Sequence, residues 1–233
     1  MNNGSLDQHL FQSGGFGRSR QQQNTAIWQW DTRYSIARDI ATGLQYLHYE
    51  HEPLVLHRDI KASNIILDST FCARLGDFGI ACTVDAERNS VTGVAGTIGY
   101  MAPEYVINYK ATRQTDIYAF GVVILEIVTG KRNMHVPADD AHITQWVRRL
   151  HRDSILLDAL DDKLIPSETD VVEGQRLLLL GLVCTNPNPS SRPGMTEVLQ
   201  VINKLAPPPD VCLEQPPLGW MPEDWSSHLN MLY

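Results

Sequence analysis

The sequence runs to 233 residues, with 43% apolar and 20% charged side chains and a formal net charge of −8. That length and apolar content suffice for one compact domain with a core of its own, and the acidic balance argues against a nucleic-acid partner, whose phosphates call for a basic face. No apolar run approaches the roughly eighteen residues of a membrane span; the longest, 122–125 and 177–180, are of core length.

Met1 opens on polar Asn2, Asn3 and Gly4, unlike a signal or transit peptide. Residues 14–29, with Gly14, Gly15, Gly17 and the run Gln21-Gln22-Gln23, read as an exposed loop. Asp31 or Thr32 can cap the next helix, whose apolar stripe is Ile36, Ile40, Leu44 and Leu47 and which Pro53 ends. His48 and His51 share its surface at i, i+3. β-branched runs around Asp68-Ser69-Thr70 predict a hairpin over 65–75. From 77 to about 113 no period is sustained, and Gly93, Gly96, Gly99 and Pro103 point to a long ordered loop. Residues 115–129 are apolar almost all round and stop at Gly130, the pattern of a buried helix with a glycine cap. Further helices are expected near 140–151, 170–184 and 194–205, with prolines at 187, 189 and 207–209 breaking the last two. The tail 207–233 reads as extended. Cys72, Cys82, Cys184 and Cys212 form no C-x-x-C pair and read as free thiols of a reducing compartment. These elements make an α-rich α+β domain over 1–206.

Four strings carry chemistry, in this order: His57-Arg58-Asp59-Ile60-Lys61-Ala62-Ser63-Asn64, Asp77-Phe78-Gly79, Ala102-Pro103-Glu104, and Asp116 with Phe120-Gly121. The first three match H-R-D-x-x-x-x-N, D-F-G and A-P-E, the signature set of protein kinases in its usual order. Each triplet alone is weak, but at roughly one in twenty per position the ordered set is beyond chance. Such a set suits phosphoryl transfer, in which catalysis is mostly positioning and charge neutralisation around the transferring group.

The resemblance sharpens to plant receptor-like Ser/Thr kinases of the lectin-domain group. It rests on HRDIKASNIILD from His57, RLGDFGIA from Arg74, GTIGYMAPE from Gly96 and DIYAFGVVILEIVTGKR from Asp116, with MNNGSLD at the start resembling the end of that group's hinge. It implies a kinase C-lobe, mostly helical, with a small hairpin at the cleft and with ATP and Mg²⁺ as cofactors. It further implies that Asp59 accepts the proton of a Ser/Thr hydroxyl on a protein substrate and that Lys61 reaches the γ-phosphate. Asn64 and Asp77 would hold Mg²⁺ and Ile66 would floor the adenine pocket. Arg58, Phe78, Gly79, Thr92 and Thr97 would belong to the activation segment and its control, with His57 and Phe78 as core packing. Asp116 would bond the catalytic loop from below, and Glu104 would pair with Arg192 for stability. The parent of such a domain works at the cytosolic face of the plasma membrane; the chain by itself reads as cytoplasmic.

Two departures limit that reading. The Gly-rich loop and strand lysine of the smaller lobe belong before the hinge, and Gly15-x-Gly17 is no substitute, so the 233 residues alone are expected to be nearly inactive. The rival is a non-catalytic binding or decoy module, although a decoy has no need of Asp59, Lys61, Asn64 and Asp77. Cys82 stands where many relatives carry a basic residue beside Arg58, which puts phosphate control in doubt. Asp59 is expected to face solvent, and Leu6, Ile66 and Phe78 to lie uncovered on the cleft face.

Overall fold

A computed structural model describes residues 3–11, 27, 29–84, 90–137, 140–164 and 167–211. The architecture is the expected α+β type, mostly helices with three two-stranded antiparallel ribbons among the described residues. The glycine- and glutamine-rich stretch 14–26, Cys212 and the tail from 212 onward lie outside them.

Helix α1 is short, Leu6–Leu10. It leaves a chain start that pairs with the next ribbon: Leu67 N donates to Gly4 O at 2.8 Å, and Ser5 bridges Ile66. That packing puts Leu6 at 0% exposure, so the expectation of an uncovered Leu6 is corrected; a helix with only two apolar residues still buries both when they fall on one face. Helix α2 runs Trp30–Gln45 and continues as a π turn, Tyr46–Glu50. It begins one turn's edge earlier than the acidic cap suggests, with Gln29 in the cap position. Ile36, Ala37, Ile40, Ala41 and Leu44 form its buried face.

Strands β1 (Leu54–Leu56), β2 (Ile65–Leu67), β3 (Ala73–Leu75) and β4 (Cys82–Val84) build two ribbons. The expected hairpin pairs Ile65 with Leu75 and Leu67 with Ala73, while β1 pairs with β4 through Leu56 and Cys82. The stretch from 77 to 113 is less loop-like than its sequence. Besides β4 it holds β5 (Val91–Thr92) paired with β6 (Lys110–Ala111), and helix α3 (Pro103–Asn108). Elements of two to six residues are too short to show a period, which is why pattern reading misses them.

Helix α4 (Arg113–Thr129) is the axis of the core, buried from Thr115 to Thr129 on every side. Thr112 caps it, accepting from Thr115 N at 3.3 Å, and Gly130 at φ 65° ends it. Helices α5 (Ile143–Arg152), α6 (Glu168–Cys184) and α7 (Met195–Ile202) complete the domain. α4 meets α6 at glycine: a Cβ on Gly121 would stand 2.7 Å from Cys184 Cβ, and one on Gly181 2.6 Å from Leu125 Cδ2. Fully buried Arg33 ties α2 to this centre, donating to Ile27 O, Ile127 O and Asp161 Oδ2.

Candidate active site: the catalytic loop and the segment that closes on it

The loop from His57 to Asn64 lies between β1 and β2 and hangs from one carboxylate. Asp116, at the start of α4 and 1% exposed, accepts from His57 N and Arg58 N, each at 2.9 Å. Its Oδ2 also lies 3.0 Å from His48 Nε2. A buried charge is stable only when its lone pairs are filled, and here backbone amides of the loop fill them. His48 is therefore not a surface residue but 1% exposed, because the π turn rolls it inward. Arg58 takes φ 70°, a left-handed conformation costly for a side-chain-bearing residue, held by those two bonds.

His57 is buried with Nε2 3.0 Å from Gly76 O, so Nε2 carries the proton and Nδ1 accepts from Asp59 N at 3.3 Å. Asp59 sits at the centre of a network. Its Oδ1 accepts from Thr97 Oγ1 at 2.6 Å, and its Oδ2 accepts from Asn64 Nδ2 at 2.9 Å and lies 2.8 Å from Lys61 Nζ. Lys61 Nζ also donates to Thr97 Oγ1 at 2.7 Å. Burial by itself would raise the Asp59 pKa, but the bonds from Lys61, Thr97 and Asn64 outweigh it and hold the carboxyl below its usual range. With its side chain 11% exposed, Asp59 is enclosed rather than solvent-facing, since Thr97 reaches it from across the fold.

Asn64 gives its amide protons to Asp59, through O and Oδ2, which leaves the amide oxygen as the free acceptor. Its backbone carbonyl accepts from Gly76 N at 2.8 Å, so Asp77 follows directly alongside. Asp77 is exposed at φ 57°, with Oδ1 accepting from Gly79 N at 3.3 Å. Among the described residues no group of three or more His, Cys, Asp or Glu could hold a metal unaided. An amide oxygen and a carboxylate nevertheless fit Mg²⁺, a hard cation that takes one or two protein oxygens and completes its shell with phosphate and water. Ile66 is half-buried on the cleft side of β2, 3.0 Å from where a Gly76 Cβ would stand. The Phe78 ring lies 4.8 Å from that of His57, yet Phe78 is 48% exposed. It is packed on one face only, so core packing holds for His57 and not fully for Phe78.

Arg58 reaches outward to neutral groups. It donates to Tyr105 Oη, Gly93 O, Ile80 O and, at 2.9 Å, Cys82 Sγ. Tyr105 Oη donates to Gly93 O and accepts from Ala95 N. Thr92 is exposed on β5 opposite Lys110. Farther off, Arg192 Nη1 and Nη2 form a fork on Glu104 at 2.6 and 2.7 Å, with further bonds to Asn186 O and Gln114 O and the Tyr118 ring beneath. Four groups that shape the site carry no sequence signal of their own: His48, Tyr105, Glu126 and His142. Each bonds to a partner 26 to 68 residues away.

The site thus holds one aspartate between a lysine, an asparagine and a threonine hydroxyl, with a second, exposed aspartate close by. The protein kinase domain family matches residues 1–202, and the chain belongs to that family. Among curated proteins of Arabidopsis thaliana it is similar to the probable L-type lectin-domain containing receptor kinase S.5, 41% identical over 237 residues, covering 97% of this chain and 35% of that one. It is likewise 42% identical to L-type lectin-domain containing receptor kinase IX.2, over 92% of this chain and 32% of the relative. The putative receptor kinase I.4 of the same group is 43% identical over 94% and 32%. The chain thus spans about a third of the length of these relatives. Among the described residues no helix is long and apolar enough to cross a membrane.

Proposed function

We propose that the chain carries the catalytic loop of a Ser/Thr protein kinase, over residues 1–206, and transfers the γ-phosphoryl group of ATP to a Ser or Thr hydroxyl of a protein. The observation that carries this reading is the Asp59–Lys61–Thr97–Asn64 network. Asp59 is ionised and anchored, so it can take the proton of an acceptor hydroxyl and orient its oxygen. Lys61 places a cation beside that oxygen, where negative charge gathers on the phosphoryl group. Asn64 and Asp77 would hold Mg²⁺, which neutralises the phosphates when bound, and Ile66 would lie under the adenine. Thr97, bonded to both Asp59 and Lys61, supports an aliphatic hydroxyl as acceptor. In a receptor kinase the domain would work on the cytosolic face of the plasma membrane.

Among the described residues no Gly-rich strand and no strand lysine stands over this site. Each preorganised cationic or N–H donor is worth about 3–4 kcal/mol in such a reaction. Without two of them, the chain alone is expected to turn over about ten-thousandfold or more below an intact kinase. The test is transfer of labelled phosphate from Mg-ATP to a protein acceptor. It compares the chain alone, the chain joined to the smaller lobe of a receptor kinase, and that fusion with Asp59→Asn. The fusion gains activity and the substitution abolishes it. A folded fusion no more active than its Asp59→Asn form would instead favour the binding-module reading.

A further inference from the structure

The loop from Thr97 to Met101 carries the hydroxyl that closes on Asp59 and Lys61, and it is held from outside the catalytic loop. Tyr100 Oη donates to both carboxylate oxygens of Glu126, at 3.0 and 2.9 Å. Gly99, at φ 87°, presses on Asn133 so closely that a Cβ there would stand 2.8 Å from Asn133 Nδ2. Asn133 in turn donates its N–H to Glu126 Oε1 at 2.9 Å and accepts from Ile143 N at 2.8 Å. The third hold comes from His142. Its Nε2 lies 2.7 Å from Gly99 O, while its Nδ1 faces Thr144 N at 3.3 Å and Thr144 Oγ1 at 2.8 Å. A carbonyl only accepts and a backbone amide only donates, so the tautomer follows: Nε2–H donates to Gly99 and Nδ1 accepts from Thr144. One imidazole therefore caps α5 with one nitrogen and grips the loop with the other.

We propose that His142 is a positioning residue of the acceptor site: by gripping the Gly99 carbonyl it sets where Thr97 meets Asp59 and Lys61. The word acceptor rests on the phosphotransfer reading; the grip on the loop does not. Two features of the site support the role. Gly99 admits no side chain, so at this position the backbone carbonyl is the handle. Burial pushes the His142 pKa down, which keeps the ring in the neutral form that can accept at Nδ1 while donating at Nε2.

The two nitrogens can be separated by substitution. Asparagine caps a helix well but is too short to reach Gly99 in place of Nε2, so His142→Asn keeps the cap and loses the grip. Glutamine reaches farther and caps poorly, so His142→Gln does the reverse. The readout is amide hydrogen exchange of the 233-residue chain, with its thermal midpoint measured alongside. In H142N, exchange over 97–101 rises about tenfold, as expected for one lost hydrogen bond in a locally opening segment, while α5 keeps its protection. In H142Q the protection over 97–101 returns and the first turn of α5 loosens. Wild-type exchange over 97–101 in H142N would overturn the proposal. So would a lowered midpoint with faster exchange everywhere in both variants, because His142 would then be a cap alone. None of these readings needs turnover, so a folded fusion no more active than its Asp59→Asn form would count against the phosphotransfer reading and leave this one standing.

Discussion

Glu126 is the residue whose environment has the plainest consequence for stability. It is fully buried, and that burial pushes its pKa up to about 8, with bonds from Asn133 N–H and Tyr100 and the charge of Arg132 working the other way. An unfolded glutamate titrates near 4.5. Between those values the folded chain holds a proton that the unfolded chain has lost, so the contribution of Glu126 to stability is full below about pH 4.5 and is lost as pH rises toward 8. The slope is at most about 1.4 kcal/mol per pH unit. Denaturant melts at several pH values should show this fall in the wild type and its absence in Glu126→Gln; parallel curves would mean that the carboxyl ionises freely in the fold. Glu126 is not legible in the sequence, where it is one acidic letter in an apolar helix. The motif residues Asp59, Lys61, Asn64 and Asp77 are legible because phosphate chemistry restricts both type and spacing. His48, Tyr105 and His142 are not, since what they do depends on partners brought near only by folding.

At the scale of elements, one side chain joins three of them. Arg192 follows the turn Pro189–Ser191 and pins α3 through Glu104 and the first turn of α4 through Gln114 O. Its side chain is 0% exposed against 16% for Glu104. Removing the arginine strands a largely buried carboxylate and the carbonyl acceptors of Asn186 and Gln114, and breaking such a pair costs about 3–5 kcal/mol. Arg192→Ala is therefore expected to lower the unfolding midpoint sharply or to abolish soluble expression. A melt within experimental error of the wild type would show that water replaces the fork at no cost. The long helices were the readable elements: α4, α6 and α7 fall within a few residues of where apolar periodicity and proline breaks put them. The stretch from 77 to 113 was not readable, because β4, β5, β6 and α3 are held by their neighbours rather than by any pattern of their own.

For the whole molecule, a single apolar cluster runs from Leu6 to Ile202, so the ribbons and the helices share one core. Unfolding should then be one cooperative transition. Far-UV circular dichroism, dominated by the helices, and the fluorescence of buried Trp30 and Trp146 are expected to give the same midpoint. Separate midpoints would mean that the ribbon half opens on its own. Helix α4 runs through that core with two site contacts at fixed stations: Asp116 under the catalytic loop and Glu126 under the Thr97 loop. Ten residues of helix set them about 15 Å apart. Each residue also turns the helix by about 100°, so inserting or deleting one between them would swing Glu126 off Tyr100 and break the fit of Gly121 to α6. Apolar exchanges of similar size in α4, away from Gly121, can be absorbed singly; a change in its length cannot. Sequences that diverge from this one are expected to vary the letters between 116 and 126 but to keep their count.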